Sequence, residues 1–535
     1  MMTVSRNCPV DSLGLGLALL LMIGLFCLTG LVTSAAATTD KRVLLVSLDG
    51  FRADYLDKTD MPNFRRLISD GVRAKFTYDA FITKTFPNHY TIVTGMYEET
   101  HGIVGNNMYD PLWNETFHIG EPSSLEPKWW SSGEPVWITN QNNLGQSAVI
   151  NWPGSDIKIR DQYPTYYLPK YNESIPFSAR VNWIIQHFKN ENDHVNLGIL
   201  YYHEPDRTGH RYGPSSPELI KKLQDLDVDV GYLIDEMKAN GLYETTNIII
   251  TSDHGMADVS VDRVIELDNF VDASLYYFDS NNPILGIWPN DEGDTSKLYD
   301  ALKNASKHMD VYWKDEIPKV FHYHDNRRIA PILLVANEGW SIFQNFTAAF
   351  PHMNDTKYFK GAHGYDNRLE VMHPIFVAHG PVFNKNQSEA DPFYNVDIYP
   401  LICYILNIPE SPNNGSFHRI FHILRKMPTG IPTTHSMSNA ATTVPVSPTS
   451  GQDWPTLSIS AIIALSVAFG VGFLAAVIFT AMCLKQRTYR QPPCNYKPII
   501  DTSLDMYDDD MDVADVKIHQ PVSPKEEVVI TNCST

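Results

Sequence analysis

Val43-Leu44-Leu45-Val46-Ser47-Leu48-Asp49-Gly50 is the stretch on which the fold of this chain turns. It is a short apolar run without alternation, closed by an acidic residue and a glycine. A strand covered on both faces of a sheet reads this way, because neither face meets water. Two further runs repeat the pattern. Leu197–Tyr201 leads to Glu204-Pro205-Asp206, and Asn247–Thr251 leads to Ser252-Asp253-His254-Gly255. Pro374–Ala378 predicts a fourth strand. Between the second and third runs, Leu219, Leu223, Leu226, Val230, Leu233 and Met237 recur every three or four residues. They form one face of a helix that opens at Pro217 and stops at Asn240-Gly241. A shorter helix is predicted from Pro62 through Ser69. Apolar strands alternating with helices predict an α/β fold, a central and mostly parallel sheet with helices on both faces. Polar residues collect just past the strand C-termini, where such sheets place their sites.

Outward from this core, two long apolar stretches set the compartment. Residues 1–37 carry Arg6, an apolar middle and the small-residue exit Thr33-Ser34-Ala35-Ala36-Ala37, the pattern of a secretory signal peptide. Residues 457–484 hold no charge and are long enough to span a bilayer. Lys485, Arg487 and Arg490 follow and place the C-terminal side in the cytoplasm, as in a single-pass type I plasma-membrane protein. Residues 38–422 read as one ectodomain, 423–456 as a Pro/Thr/Ser-rich stalk, and 485–535 as a disordered acidic tail. Asn114, Asn172, Asn304, Asn345, Asn354, Asn386 and Asn414 each open an N-x-S/T triplet before the span, as expected of a glycosylated extracellular surface. Cys403 is the only cysteine between signal and span, so no disulfide can form within the ectodomain; it reads as a buried free thiol.

Charge narrows the partners. Against 42 Lys+Arg stand 62 Asp+Glu, a net −20, which argues against nucleic-acid binding. Nothing in the sequence names a protein partner.

The polar clusters are ordinary one at a time. Asp49 after a strand suits a cap, Asp206 with His210 an ion pair, Asp253-His254 another cap, and His363-Gly364 a loop. Together, three carboxylates and three imidazoles are enough to hold two Zn²⁺ ions, although such donors also suit Mn²⁺ or Co²⁺. A hydroxyl comes from Thr83-Lys84-Thr85-Phe86-Pro87-Asn88-His89-Tyr90. Pro87 fits a first helical turn, so Thr85 falls at a helix N-terminus, where the dipole favours an alkoxide and a neighbouring phosphate. A metal on the same oxygen would activate it as a nucleophile.

Leu45–Arg52, Lys84–His89, Glu204-Pro205-Asp206 with His210, Thr251–Met256 and His363–Asp366 resemble the ectonucleotide pyrophosphatase/phosphodiesterases of the alkaline-phosphatase superfamily. The short type I members, the fourth and fifth, are most similar. The resemblance implies two Zn²⁺ per chain, one on Asp49, Thr85, Asp253 and His254, the other on Asp206, His210 and His363. It makes Thr85 the nucleophile that forms a nucleotidyl-threonine intermediate, and Asn106 a donor to a phosphate oxygen. Phe86 and Tyr171 correspond to the residues that sandwich the base, with Trp152, Asp156 and Tyr201 in the same pocket. The implied activity is hydrolysis of dinucleoside polyphosphates, NAD and nucleoside triphosphates to nucleoside 5′-monophosphates. The cysteines that staple the relatives are missing. A phosphodiesterase acting on lipid head groups is the rival among enzymes, and a non-catalytic adhesion or receptor ectodomain the rival outside them. A sulfatase is disfavoured, since its Cys-x-Pro-x-Arg motif does not occur.

Overall fold

Val43 and Leu45 face one apolar cluster, while Leu44, Val46 and Leu48 face another, so β1 (Arg42–Leu48) is covered on both sides. Burying each such side chain is worth about 1.5–3 kcal/mol, which is why the run tolerates no charge. A computed structural model describes residues 41–346 and 359–425, all within one unit. The expected signal segment, span and tail lie outside these residues, as do Asn354 and the stalk beyond Arg425. Residues 423–425 still belong to the folded body, because Leu424 bridges Phe383 and Arg425 N–H donates to Val382 O at 2.8 Å.

β1 is followed by β2 (Gly71–Ala74), β3 (Gln146–Ile150), β4 (Tyr166–Tyr167), β5 (Val195–Tyr202), β6 (Thr246–Thr251), β7 (Phe376–His379) and β8 (Gln387–Ala390). They form one eight-stranded sheet in the order β8-β2-β7-β6-β1-β5-β3-β4. β1 lies at its centre, parallel to β5 and β6, with Leu48 opposite Tyr202 and Ser47 opposite Thr251. The expected fourth strand begins two residues late, at Phe376, and runs antiparallel to both β6 and β2. The sheet is mostly parallel, as expected, with β7 the exception.

The helices that matter for the site are α1 (Pro62–Ser69), α2 (Thr85–Thr94), α3 (Phe177–Lys189), α4 (Asp206–Tyr212), α5 (Pro217–Ala239) and α6 (Ile398–Leu406). α1, α3 and α5 pack together over the face that carries Leu44 and Val46. α2 and α6 cover the opposite face. α5 starts where the sequence placed it, with Ser216 Oγ accepting from Leu219 N–H at 3.1 Å. Cys403 is a buried free thiol on α6, and burial pushes its pKa up to about 12, so it is inert.

Between β6 and β7 the chain builds an unanticipated second layer. Tyr276–Asn281, Ile284–Pro289, Ile332–Ala336 and Met309–Trp313 form a four-stranded antiparallel sheet in that spatial order. Its core is separate and includes Leu285, Ile287, Ile332 and Leu334. Among the described residues no helix is long and apolar enough to cross a membrane.

Candidate active site

The three central strands end side by side, and each hands a ligand-type side chain to the same spot. Asp49 follows β1 directly, Asp253 and His254 follow β6, and Asp206 opens α4 just beyond β5. Asp206 and His210 are one turn apart on α4, which puts both side chains on one face. Gly50 lets these loops meet. Its φ is +65°, and a Cβ there would lie 2.8 Å from the Asp206 side chain and 2.9 Å from its backbone. Asp206 N–H in turn donates to Asp49 O at 2.9 Å. His363 arrives from the other side of the chain. Gly361 packs its backbone onto α4, where a Cβ would come within 2.4 Å of Gly209 O. The short pair Ala257–Asp258 and Gly361–Ala362 fixes that approach.

Two donor groups result, Asp49 with Asp253 and His254, and Asp206 with His210 and His363; within each, the donor atoms all lie within 4.8 Å of one another. Whether they suit cations is answered by the imidazoles. His210 Nδ1 lies 2.8 Å from Gly361 O, His363 Nδ1 2.8 Å from Thr83 O, and His254 Nδ1 2.9 Å from Gly255 O. A carbonyl can only accept, so each Nδ1 holds the proton and each Nε2 presents a lone pair, the arrangement of a metal-binding histidine. These lone pairs face acceptors. His363 Nε2 and His210 Nε2 are 3.1 Å apart, and His254 Nε2 is 3.0 Å from Asp253 Oδ2 and 3.5 Å from Asp49 Oδ1. Asp253 Oδ2 is buried and accepts no hydrogen bond. Electron-rich atoms crowded in this way fit bound cations.

Thr85 is the first residue of α2, as expected, and its Oγ1 lies 3.3 Å from His254 Nε2. Asn106 Oδ1 accepts from Phe86 N–H at 3.0 Å, which orients the amide and leaves Nδ2 as its donor end. Phe86 and Tyr171 are half-buried against one apolar cluster. Asp156 is partly buried, and burial pushes its carboxyl up to about 6. Trp152 is only 1% exposed and donates its Nε1–H to His89 O at 3.2 Å, so it packs beneath the site. Tyr201 is 3% exposed, and its hydroxyl donates to Asp49 Oδ2 at 2.7 Å. Its first partner is thus a ligand-type carboxylate, a role the sequence reading did not give it.

A supporting layer was also missed. His89, one turn after Thr85 on α2, lies 2.8 Å from Thr85 O through Nδ1 and 2.8 Å from Ser47 Oγ through Nε2. Its ring also stands 3.3 Å from Asp253 Oδ2. Ser252 Oγ and Gly50 N–H donate to the other oxygen, Asp253 Oδ1, at 3.1 and 3.2 Å. The i, i+4 spacing of Thr85 and His89 was the one sequence signal for this layer. Of the sequon asparagines among the described residues, Asn114, Asn172, Asn304, Asn386 and Asn414 are exposed and Asn345 is half-buried.

Residues 43–366 match the family model "Type I phosphodiesterase / nucleotide pyrophosphatase". Human "Ectonucleotide pyrophosphatase/phosphodiesterase family member 5" is 45% identical over 397 residues, covering 74% of this chain and 81% of the relative. Human "Bis(5'-adenosyl)-triphosphatase ENPP4" is 43% identical over 406 residues, covering 75% and 85%. The solved structure of the murine family member 5, an inactive threonine-to-alanine form in complex with AMP, superposes with a TM-score of 0.68. It shares 45% identity and covers 72% of this chain and 99% of that one. The fold is the alkaline-phosphatase-like α/β fold of those members. The chain belongs to the type I phosphodiesterase / nucleotide pyrophosphatase family and is an enzyme of that class.

Proposed function

We propose that this chain is a cell-surface, zinc-dependent phosphodiesterase. It hydrolyses extracellular dinucleoside polyphosphates, NAD and nucleoside triphosphates to nucleoside 5′-monophosphates through a nucleotidyl-threonine intermediate. The observation that carries this reading is Thr85 Oγ1 at a helix N-terminus, 3.3 Å from the Nε2 of a ligand-type histidine. The AMP complex of the murine relative supports a nucleotide in such a site.

Asp49, Asp253 and His254 with Thr85 would hold one Zn²⁺, and Asp206, His210 and His363 the other. Bound there, the ions would acidify the threonine hydroxyl and stabilise the entering and leaving oxygens of an in-line displacement. The residues do the rest. Thr85 Oγ attacks phosphorus, helped by the α2 dipole that favours its negative charge. As the Oγ–phosphorus bond forms, the bond to the leaving oxygen breaks. Asn106 Nδ2 donates to a phosphate oxygen as charge builds on it, the electrostatic stabilisation typical of such sites. Water then cleaves the threonine ester and releases the nucleoside 5′-monophosphate. Phe86 and Tyr171 would hold the base by stacking, with Asp156 nearby. The expected signal peptide, stalk, span and acidic tail would place this ectodomain outside the cell on a type I anchor, glycosylated at its exposed sequons.

The test uses the full-length chain and Thr85→Ala, assayed on p-nitrophenyl thymidine monophosphate before and after chelation. Hydrolysis that requires both Thr85 and metal is the expected result. A folded, metal-loaded wild type that leaves this ester and the natural nucleotides intact would overturn the proposal and turn attention to lipid head-group diesters.

A further inference from the structure

Arg180, on α3, is 0% exposed, and among the described residues no carboxylate lies within ion-pair distance of it. Burial accordingly lowers its pKa from the usual arginine value. A buried cation without an anion is costly and calls for an explanation. All its hydrogen bonds run to backbone carbonyls. Nε–H donates to Ile175 O at 2.8 Å, and one terminal nitrogen donates to Glu173 O at 3.0 Å and Asn172 O at 3.5 Å. The other donates to Tyr201 O at 2.6 Å. The planar fork thus ties the loop of residues 171–175 to the end of β5, a geometry lysine cannot copy.

A second device fastens the same loop. Asn151 has φ of +60°, donates from Nδ2 to Asn172 O at 2.7 Å, and accepts from Asn172 N–H at 3.2 Å. Arg207, on α4 next to Asp206, pairs with Glu173 at 3.0 Å. The loop they hold begins at Tyr171, whose ring lies 6.1 Å from that of Tyr201. Tyr201 hydrogen-bonds Asp49 through its hydroxyl and Arg180 through its carbonyl.

We propose that Arg180, seconded by Asn151, is a positioning residue that sets the place of Tyr171 relative to the reaction centre and so controls the affinity for nucleotide esters. This rests on the reading of Tyr171 as a wall of the base pocket. Three of the four backbone hydrogen bonds hold the loop and the fourth holds Tyr201 O at the end of β5, so the guanidinium ties the two together.

The full-length chain is assayed on p-nitrophenyl thymidine monophosphate and on methyl p-nitrophenyl phosphate, which has no base. Tyr171→Ala should raise the KM of the nucleotide ester about 5- to 150-fold, the range of one base stacking contact. Arg180→Lys should raise the same KM about 5-fold or more and leave the KM of the methyl ester unchanged. The double variant should be no worse than Tyr171→Ala, because the two act on one contact. Arg180→Lys lowering kcat alike on both esters, or adding fully to Tyr171→Ala, would show a merely structural role and overturn the proposal. If Arg180→Lys is not secreted folded, Asn151→Gly decides, since glycine keeps the positive φ. A KM rise confined to the nucleotide ester supports the proposal, and no rise overturns it. If Tyr171→Ala itself leaves the nucleotide KM unchanged, the base-wall reading fails and the proposal falls with it.

Discussion

Tyr201→Phe isolates one hydrogen bond inside the centre. The hydroxyl donates to Asp49 Oδ2 at 2.7 Å, and both residues are buried, at 3% and 2% exposure. Phenylalanine keeps the ring and its neighbours, His89 at 5.0 Å and Tyr171 at 6.1 Å, and removes only the donor. A hydrogen bond to a charged, buried group contributes about 1.5–3 kcal/mol. If that energy orients Asp49 for a cation, its loss weakens metal binding about 10- to 150-fold, as for outer-layer partners of metal ligands generally. The assay is activity on p-nitrophenyl thymidine monophosphate after chelation and stepwise return of zinc. The half-activating zinc concentration should rise about 10-fold or more, with the KM at saturating zinc unchanged. Overlapping zinc titrations for wild type and variant would refute the argument. A higher nucleotide KM at saturating zinc would instead return Tyr201 to the base pocket, where the sequence reading had put it.

Gly50→Ala should cut activity at least about 100-fold while the chain still folds. A Cβ 2.8 Å from the Asp206 side chain must displace a ligand-type carboxylate, and misplacement of about 1 Å costs that much; near-native turnover would refute this. Asp227→Ala should lower stability by about 2 kcal/mol with turnover intact, read as a melting temperature a few degrees lower. Asp227, on α5, accepts the N–H groups of Asn63 and Phe64, both at 2.9 Å, and so caps α1 from outside. Asp279 gives a pH test. Burial pushes its carboxyl up to about 7, against the opposing hydrogen bond from Trp288 Nε1 at 2.5 Å. With its pKa raised in the folded state, the folded chain holds one more proton than the unfolded chain between about pH 4 and 7. Its contribution to stability therefore falls as pH rises through that window. Asp279→Asn should melt higher relative to wild type at pH 8 than at pH 5, and a constant difference between the two would refute the assignment.

The parts of the molecule legible in the sequence were those carried by local pattern. Val43–Leu48 and Asn247–Thr251 could be read as strands because a doubly covered strand excludes charged residues, and the α5 periodicity could be read over most of the helix. Direction across the sheet has no such mark. Pro374–Ala378 is as apolar as its neighbours, yet β7 runs the other way. The second sheet escaped notice because its strands mix Asp279, Tyr277 and Asp310 with short apolar pairs. At the site, the ligand-type residues stood out because carboxylates and imidazoles at strand ends are chemically conspicuous. The residues that orient them did not. Tyr201 reaches Asp49 across 152 positions, and Arg180 acts through backbone carbonyls whose identity no side chain announces. Register creates such pairs, and register appears only once the sheet is assembled.

Electrostatics ties these observations to capture of the substrate. Nine acidic and six basic residues after position 484 leave −17 on the rest of the chain, so the general field repels a nucleotide. The six donor residues alone would deepen that repulsion, since Asp49, Asp206 and Asp253 bring three negative charges to one end of the sheet. Two divalent ions at these groups would reverse the local sign, four positive charges against three, while the far field stays negative. An anionic diester would then be attracted only within about a Debye length of the centre, roughly 8 Å at physiological ionic strength. Long-range steering would contribute little. Discrimination among anions would pass to groups that act at contact, the stacking surfaces of Phe86 and Tyr171 and the amide of Asn106. On the proposed reading, the placement of Tyr171 by Arg180 then bears on discrimination, and raising ionic strength should alter the KM of this enzyme less than that of one whose whole surface attracts its substrate.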